Sequence, residues 1–202
     1  MKIALIGASG NAGARILKEL SDRGHAVTAI ARGTDRIAPL PGVTPTAGDV
    51  NAPEALADTL RGHDVVVSSV HFSVTDAAQL IDTVRASGVL RYLVVGGAGS
   101  LEVAPGQRLI DQPGFPEEYK TEASAGAAFL DRLREAHDLE WTFLSPSAMF
   151  VSGERTGQFR LGTDTLLSNE QGSSISFEDY AIALVDEIEQ PRHVRQRFTV
   201  GY

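Results

Sequence analysis

Met1-Lys-Ile-Ala-Leu-Ile-Gly7-Ala-Ser-Gly10-Asn-Ala-Gly13 decides the fold. An apolar run from Ile3 to Ile6 meets a glycine-rich turn, and Ile16, Leu17 and Leu20 then recur at helical spacing. The order is strand, tight turn, helix. Gly7, Gly10 and Gly13 let the backbone turn sharply, approach a phosphate and pack the helix on the strand. The helix opens with free N–H groups and the positive end of its dipole aimed at that phosphate. Ser9, Asn11 and Ala12 lie within the same turn. With a strand before it and a helix after it, the turn reads as a dinucleotide site.

Working outward, Arg23-Gly24-His25 stops the helix and Ala26 to Ala31 forms a second strand, closing a βαβ unit of about thirty residues. The position after that strand discriminates cofactors. An acid there accepts from a ribose 2′-hydroxyl and favours NAD, whereas this chain places Arg32 there, with Arg36 close behind. A guanidinium pairs bidentately with a 2′-phosphate, so the expected cofactor is NADP, with NADPH preferred over NADH.

The alternation continues. A short strand around Val43 to Ala47 ends in Gly48-Asp49-Val50. A helix over Ala52–Leu60 follows, with Asn51 as N-cap, and then a buried strand, Val65 to Val70. Ligands of such sheets lie across the carboxyl ends of the strands. Asp49 and Val50 are therefore expected beside the adenine, and Ser68, Ser69 and Val70 beside the ribose and pyrophosphate. His71 and Phe72 are expected to border the acceptor. A helix to Ser87 and a strand Arg91–Val95 run into a second glycine-rich loop, Gly96-Gly97-Ala98-Gly99-Ser100, where Gly97 would let a flat ring approach the backbone. The polar segment from Glu102 to Pro116, which includes Phe115, is too long for a plain connection and reads as a pocket border. A helix over Glu117–Ala136, with Ala125, Ala128, Phe129, Leu130 and Leu133 inward, precedes a sixth strand. That strand ends in Ser145-Pro146-Ser147-Ala148-Met149-Phe150, where Met149 and Phe150 are candidate pocket walls. Gly153 to Gly162 reads as polar and flexible, Thr163 to Asn169 as a short strand or hairpin, Phe177 to Gln190 as a helix capped by Ser176, and Phe198 onward as a last strand. The expected fold is α/β. It is a doubly wound parallel sheet of Rossmann type over residues 1–202, with helices on both faces and a small C-terminal lobe at about 146–180 bordering the substrate.

The 202 residues carry a net charge of −8, 43% apolar and 22% charged side chains, and no cysteine. An ordinary soluble globular protein has that balance. The acid excess argues against nucleic acid or an anionic membrane as partner. The lack of cysteine removes disulfides and thiolate chemistry, and five unclustered histidines give no metal site. No apolar stretch approaches the ~18 residues of a membrane span, and no charged-then-apolar leader opens the chain, so a cytoplasmic monomer or homodimer is expected.

Gly7-Ala-Ser-Gly10-Asn-Ala-Gly13, Arg32, Gly48-Asp49-Val50, Val94-Val-Gly-Gly-Ala-Gly-Ser100 and Leu144-Ser-Pro-Ser-Ala148 together resemble the short-chain dehydrogenase/reductase superfamily in its atypical branch. That branch includes NmrA-like proteins and biliverdin reductase B/flavin reductase. The stretch from Glu154-Arg-Thr-Gly157 through Ser176 to Tyr180, and on to Tyr202, is similar to bacterial proteins provisionally called NADH-flavin reductases. The resemblance implies NAD(P)H binding and reduction of a small acceptor, a flavin or a quinone, with flavin as substrate rather than bound prosthetic group. It also places an active-site serine near Ser100, which would orient the nicotinamide amide or the acceptor. One departure matters. The superfamily's Tyr-x-x-x-Lys couple is missing: Tyr119 and Lys120 are adjacent, and Ala123 stands four residues beyond Tyr119. Helix neighbours point about 100° apart and cannot form that pair. Tyr119 is left as a possible hydrogen-bond donor into the pocket. Flavin reduction tolerates the loss, because it needs the two rings held face to face more than a dedicated acid. The alternative is a non-catalytic NADP(H)-binding redox sensor of NmrA-like type.

Overall fold

The computed structural model describes residues 1–202. Strand β1 (Lys2–Ile6) is buried at four of its five positions and leads through the glycine turn into α1 (Asn11–Asp22). Then come β2 (Ala26–Ala31), β3 (Val43–Ala47), α2 (Pro53–Leu60) and β4 (Val65–Ser68). A 3-10 turn at Phe72–Val74 precedes α3 (Ala77–Ser87) and β5 (Arg91–Val95). A hairpin of β6 (Glu102–Ala104) and β7 (Gln107–Arg108) and a 3-10 turn at Leu109–Asp111 lead to α4 (Glu117–Glu135). The chain closes with β8 (Glu140–Pro146), β9 (Met149–Val151), β10 (Arg160–Gly162), β11 (Ser174–Ser176), α5 (Phe177–Glu189) and β12 (Gln196–Gly201).

Eight strands form one sheet in the order β10-β12-β8-β5-β4-β1-β2-β3, parallel throughout except for the edge pair β10–β12. β1 lies between β2 and β4, so the winding reverses there and the carboxyl ends of β1 and β4 open a crevice. The side chains alternate between two cores, as the two-residue period of a strand requires. Ile3, Leu5, Val67, Leu93 and Phe198 pack with α1 and α5. Ala4, Ile6, Val66, Tyr92 and Phe143 pack with α2, α3 and α4. Pro45 sits in β3, an edge strand, where a missing N–H costs no ladder bond on the open side.

Several expectations are corrected. Asn51 does not cap α2: Ala52 is the N-cap and no side chain caps the helix, while Asp49 Oδ1 accepts from the Asn51 main-chain N–H at 2.9 Å. On α4, Ala128 is exposed, and Gly126 takes the inward place because the Phe72 ring crosses against it. The edge strand lies at Arg160–Gly162, and the expected strand at 163–169 is reduced to isolated bridges. The segment 153–157, read as flexible, is tied down by side chains. Glu178 accepts from Gly153 N at 2.9 Å, Asp179 from Gly157 N at 2.8 Å, and Glu19 from Arg155 at 2.9 Å. β9 and β11 pair with each other in a separate parallel ribbon. No helix is long and apolar enough to cross a membrane.

Candidate functional site

The glycine turn is hung on its neighbours by the main chain: Gly7 and Ala8 both donate to Ile30 O, at 2.9 and 3.2 Å. Gly7 has φ +83°, and a Cβ there would overlap the Ser69 carbonyl oxygen, so β1 and β4 meet at a point where only glycine fits. A Cβ at Gly13 would overlap the Gly7 carbonyl, which is how α1 comes so close to the turn. Gly10 differs. Its Cβ would meet only Gly7 O, at 3.4 Å, so packing inside the protein does not demand glycine there. Gly10 is exposed, it is the N-cap of α1, and no side chain caps that helix. An uncapped helix end at a backbone open to solvent is an anion cradle.

At the end of β2, Arg32 and Arg36 are both exposed, and neither makes a hydrogen bond or ion pair within the protein. Asp49 and Val50, at the end of β3, are half-buried. Gln79 Nε2 on α3 donates to Val50 O at 2.8 Å and fixes that loop, a contact carried by no motif in the sequence.

The end of β4 divides inward from outward. Ser69 and Val70 stand half-buried against the glycine turn, Ser69 N donating to Ile6 O at 2.8 Å. Ser68, expected beside the ribose and pyrophosphate, shares the inward face with Val66, and its hydroxyl bonds the buried Tyr92 hydroxyl at 2.8 Å, so that side chain is turned into the core. Burial pushes the Tyr92 phenol far above its ordinary range. Phe72, expected to border the acceptor, is turned inward too: the 3-10 turn folds its ring into the core, 5.2 Å from Phe129 and 6.0 Å from Phe143 between centroids. His71 stays outside, with its side chain 85% exposed. Glu122 on α4, which no motif announces, accepts from Phe72 N at 2.7 Å and Ser73 N at 2.9 Å, with His71 Nδ1 3.7 Å away. Burial pushes the Glu122 carboxyl up, but the Ser73 and Phe72 N–H groups and the His71 charge outweigh it and hold it below the usual range.

Beyond β5, Gly97 lies in open space, while Gly99 sits hard against Ala123 of α4. Ser100 is half-buried and its Oγ accepts from Arg197 Nη1 at 3.0 Å. Tyr119 is 61% exposed and its hydroxyl bonds nothing in the protein, so the structure gives it no place in a shared constellation with Ser100. Phe115 is half-buried. At the end of β8, Pro146 is buried and Ala148 and Met149 are exposed. Ser147 is turned inward as well, since its hydroxyl is buried and donates to Val200 O at 3.1 Å. Phe150 is half-buried against Phe177 and Tyr180, at 4.5 and 4.6 Å. Two surface cavities, of about 230 and 300 Å³, lie away from this constellation. One is between the end of α5 and β10, the other between α2 and α3. No group of acidic or histidine side chains has the spacing of a metal site.

Comparison with known proteins places this geometry. A family model described as NAD(P)H-binding matches residues 7–191. The uncharacterized protein YwnB of Bacillus subtilis strain 168 is 43% identical over 211 aligned positions, covering 99% of this chain and 98% of YwnB. A solved Bacteroides thetaiotaomicron protein provisionally named an epimerase is 39% identical with a TM-score of 0.94, covering 100% of this chain and 96% of its own. A Streptococcus pneumoniae protein provisionally named an NADH-flavin reductase is 38% identical with a TM-score of 0.87, covering 100% and 99%. The last two names disagree on the chemistry, so the choice between them falls to the residues.

Proposed function

The chain belongs to the NAD(P)H-binding family, in the atypical branch of the short-chain dehydrogenase/reductase superfamily, and from that premise we propose that it is an NADPH-preferring reductase of a flavin or quinone. The site's own residues fit the dinucleotide. The uncapped start of α1 and the open backbone at Gly10 suit a pyrophosphate, and the unpaired Arg32 and Arg36 suit a 2′-phosphate. NADPH supplies hydride when bound. The chain holds it and presents an acceptor to its face.

The observation that carries the choice of acceptor lies on α4. Tyr119 is exposed and unbonded, and position 123 is an alanine pressed on Gly99. An epimerase or ketone reductase that depends on a tyrosine proton and a neighbouring lysine has neither in place. A flavin or quinone takes hydride into a conjugated ring and draws its proton from water, so positioning suffices. Both are expected to come and go as substrates.

The test is turnover. Purified protein with NADPH should consume it, followed by absorbance, in the presence of FMN, riboflavin or a benzoquinone, and faster than with NADH. Tight NADPH binding with no consumption across that panel would replace this reading with a redox sensor.

A further inference from the structure

Ser100 Oγ has one partner in the protein, and that partner can only donate. Arg197 Nη1 reaches it at 3.0 Å. A guanidinium carries five N–H donors and no acceptor. The serine oxygen therefore accepts, and its own hydroxyl hydrogen has no acceptor inside the protein. Arg197 is fixed in place: its side chain is 5% exposed on β12, and its Nε donates to Asp164 Oδ1 at 2.8 Å, with Nη2 on the same oxygen. By the strand period Arg197 alternates with Phe198, which puts it on the α4 face of the sheet. The loop carrying Ser100 is tied to that same segment. Glu102 N donates to Asp164 O at 2.8 Å and Leu166 N to Glu102 O at 2.9 Å, while the loop closes on itself through Ile110 N to Gly99 O at 3.0 Å. A half-buried hydroxyl is thus anchored through its oxygen, with its hydrogen left to give, just past the carboxyl end of β5.

We propose that Arg197, backed by Asp164, is a positioning residue that turns Ser100 into a dedicated hydrogen-bond donor to a carbonyl oxygen of the acceptor. The inference rests on the reductase reading and narrows it. The acceptor must carry a ring carbonyl conjugated with the position that receives hydride, as isoalloxazines and quinones do and isolated alkenes or disulfides do not. Two electrons and one hydrogen leave NADPH, which departs oxidised. The acceptor's added negative charge spreads onto the carbonyl oxygen, where the Ser100 O–H hydrogen-bonds to it. A proton from water then neutralises that charge, and Ser100 keeps its own. A donor preset where charge develops is worth most in the transition state, and its oxygen is polarised further by a cationic partner.

The experiment is a double-mutant cycle with two readouts on protein of unchanged far-UV circular dichroism. Ser100→Ala should lower kcat with flavin and quinone roughly 10- to 100-fold and leave the NADPH KM within about twofold, with Ser100→Thr restoring most of the rate. Arg197→Met should cost a similar factor, and the double variant no more than either alone. If Arg197→Met fails to fold, Asp164→Asn, at a 57% exposed side chain, takes its place, with a smaller loss in the same direction. The second readout needs no turnover: oxidised FMN added with NADP+ should show a shift of its visible absorption in wild type that Ser100→Ala abolishes. Additive losses, or full activity in Ser100→Ala, would overturn the inference. A wild type that shifts the FMN band through Ser100 yet never oxidises NADPH would sink the reductase reading and leave the hydrogen bond standing. A wild type that gives no shift overturns the inference.

Discussion

Glycines 7, 10 and 13 share one short string, but the structure gives them different tasks. Gly7 and Gly13 are demanded by the protein's own packing, whereas Gly10 faces outward with room for a Cβ. Replacement should therefore separate stability from binding. Gly7→Ala, strained by its positive φ and by overlap with Ser69 O, should lower the melting temperature sharply. Gly10→Ala should melt near the wild-type temperature yet bind NADPH at least about tenfold more weakly, because its methyl occupies the approach of the phosphate. Cofactor fluorescence titration beside thermal melts tests both, and an unchanged Kd in Gly10→Ala would remove the cradle argument. Arg32 belongs to the same scale. Losing a charge-assisted pair to a 2′-phosphate costs about 1.5–3 kcal/mol, so Arg32→Asp should weaken NADPH by roughly 10- to 100-fold while leaving NADH nearly as it was. Equal weakening of both would show that Arg32 does not meet the phosphate. These residues were legible in sequence because a turn that requires glycine, and a charge at the end of a strand, are local properties. Ser68, Phe72 and Ser147 were not. Ser68 and Ser147 lie at strand ends, where only the register of the sheet decides that their hydroxyls bond Tyr92 and Val200 O, and Phe72 lies in a 3-10 turn that carries its ring to Phe129.

Among the elements, α4 holds the carboxyl edge together. Its Glu122 receives the N–H groups of Phe72 and Ser73, and its Ala123 meets Gly99, so one turn of helix grips the loops that follow β4 and β5. That turn was invisible in the sequence because its contacts join residues from 24 to 50 positions apart, with no periodicity to betray them. Glu122→Ala should cost about 1–3 kcal/mol and speed hydrogen exchange at the Phe72 and Ser73 amides ahead of the rest of the sheet. Uniform exchange across the sheet would mean the grip is not local. Glu19 illustrates a related effect in α1. Burial raises its carboxyl, but Arg155 and Arg23 pull it below the usual range. Glu178 and Glu189 are lowered too, burial again being outweighed, by Gly153 N–H and Arg15 in one case and by Arg23 and His25 in the other. A carboxylate lowered in the folded state contributes stability that is complete above its unfolded pKa and is lost as pH falls through the folded one. The urea midpoint should therefore be flat from pH 7 to about 5 and fall steadily below about 4.5. Glu19→Gln should start lower at pH 7 and fall less. A midpoint rising on acidification would contradict the sign.

Over the whole molecule, the regular half and the irregular half differ in what holds them. Residues 1–146 are a run of strands and helices whose apolar periods specify them, and there the sequence alone locates every central strand and helix to within a few residues. The region after Pro146 has short strands and polar connections, and its order comes from α1 and α5 side chains that reach across the chain. Arg15 bonds Glu178 at 3.0 Å and Ser152 at 3.1 Å, Arg155 bonds Glu19, and Arg23 meets Asp186 and Glu189. The helix that opens on the glycine turn is thereby clasped to the segment that follows β9. At the centre of the clasp is Asp179, fully buried. It accepts from Thr156 Oγ1 at 2.6 Å, Gly157 N at 2.8 Å and the Tyr202 hydroxyl at 2.8 Å, which ties the middle segment and the C-terminal tyrosine to the first turn of α5. Asp179→Ala removes a fully buried acceptor from three part-buried donors at once, and such a loss costs about 1–3 kcal/mol. If the region is organised through this carboxylate, the variant should melt lower, and its amides at 153–158 should exchange at nearly unfolded rates while β1, β4 and β5 stay protected. NADPH should still bind, since no residue of the glycine turn touches Asp179, but acceptor turnover should fall because the wall beyond β8 loosens. A variant that loses stability while 153–158 remain as protected as the central strands would show that the ion pairs to α1 hold the segment by themselves.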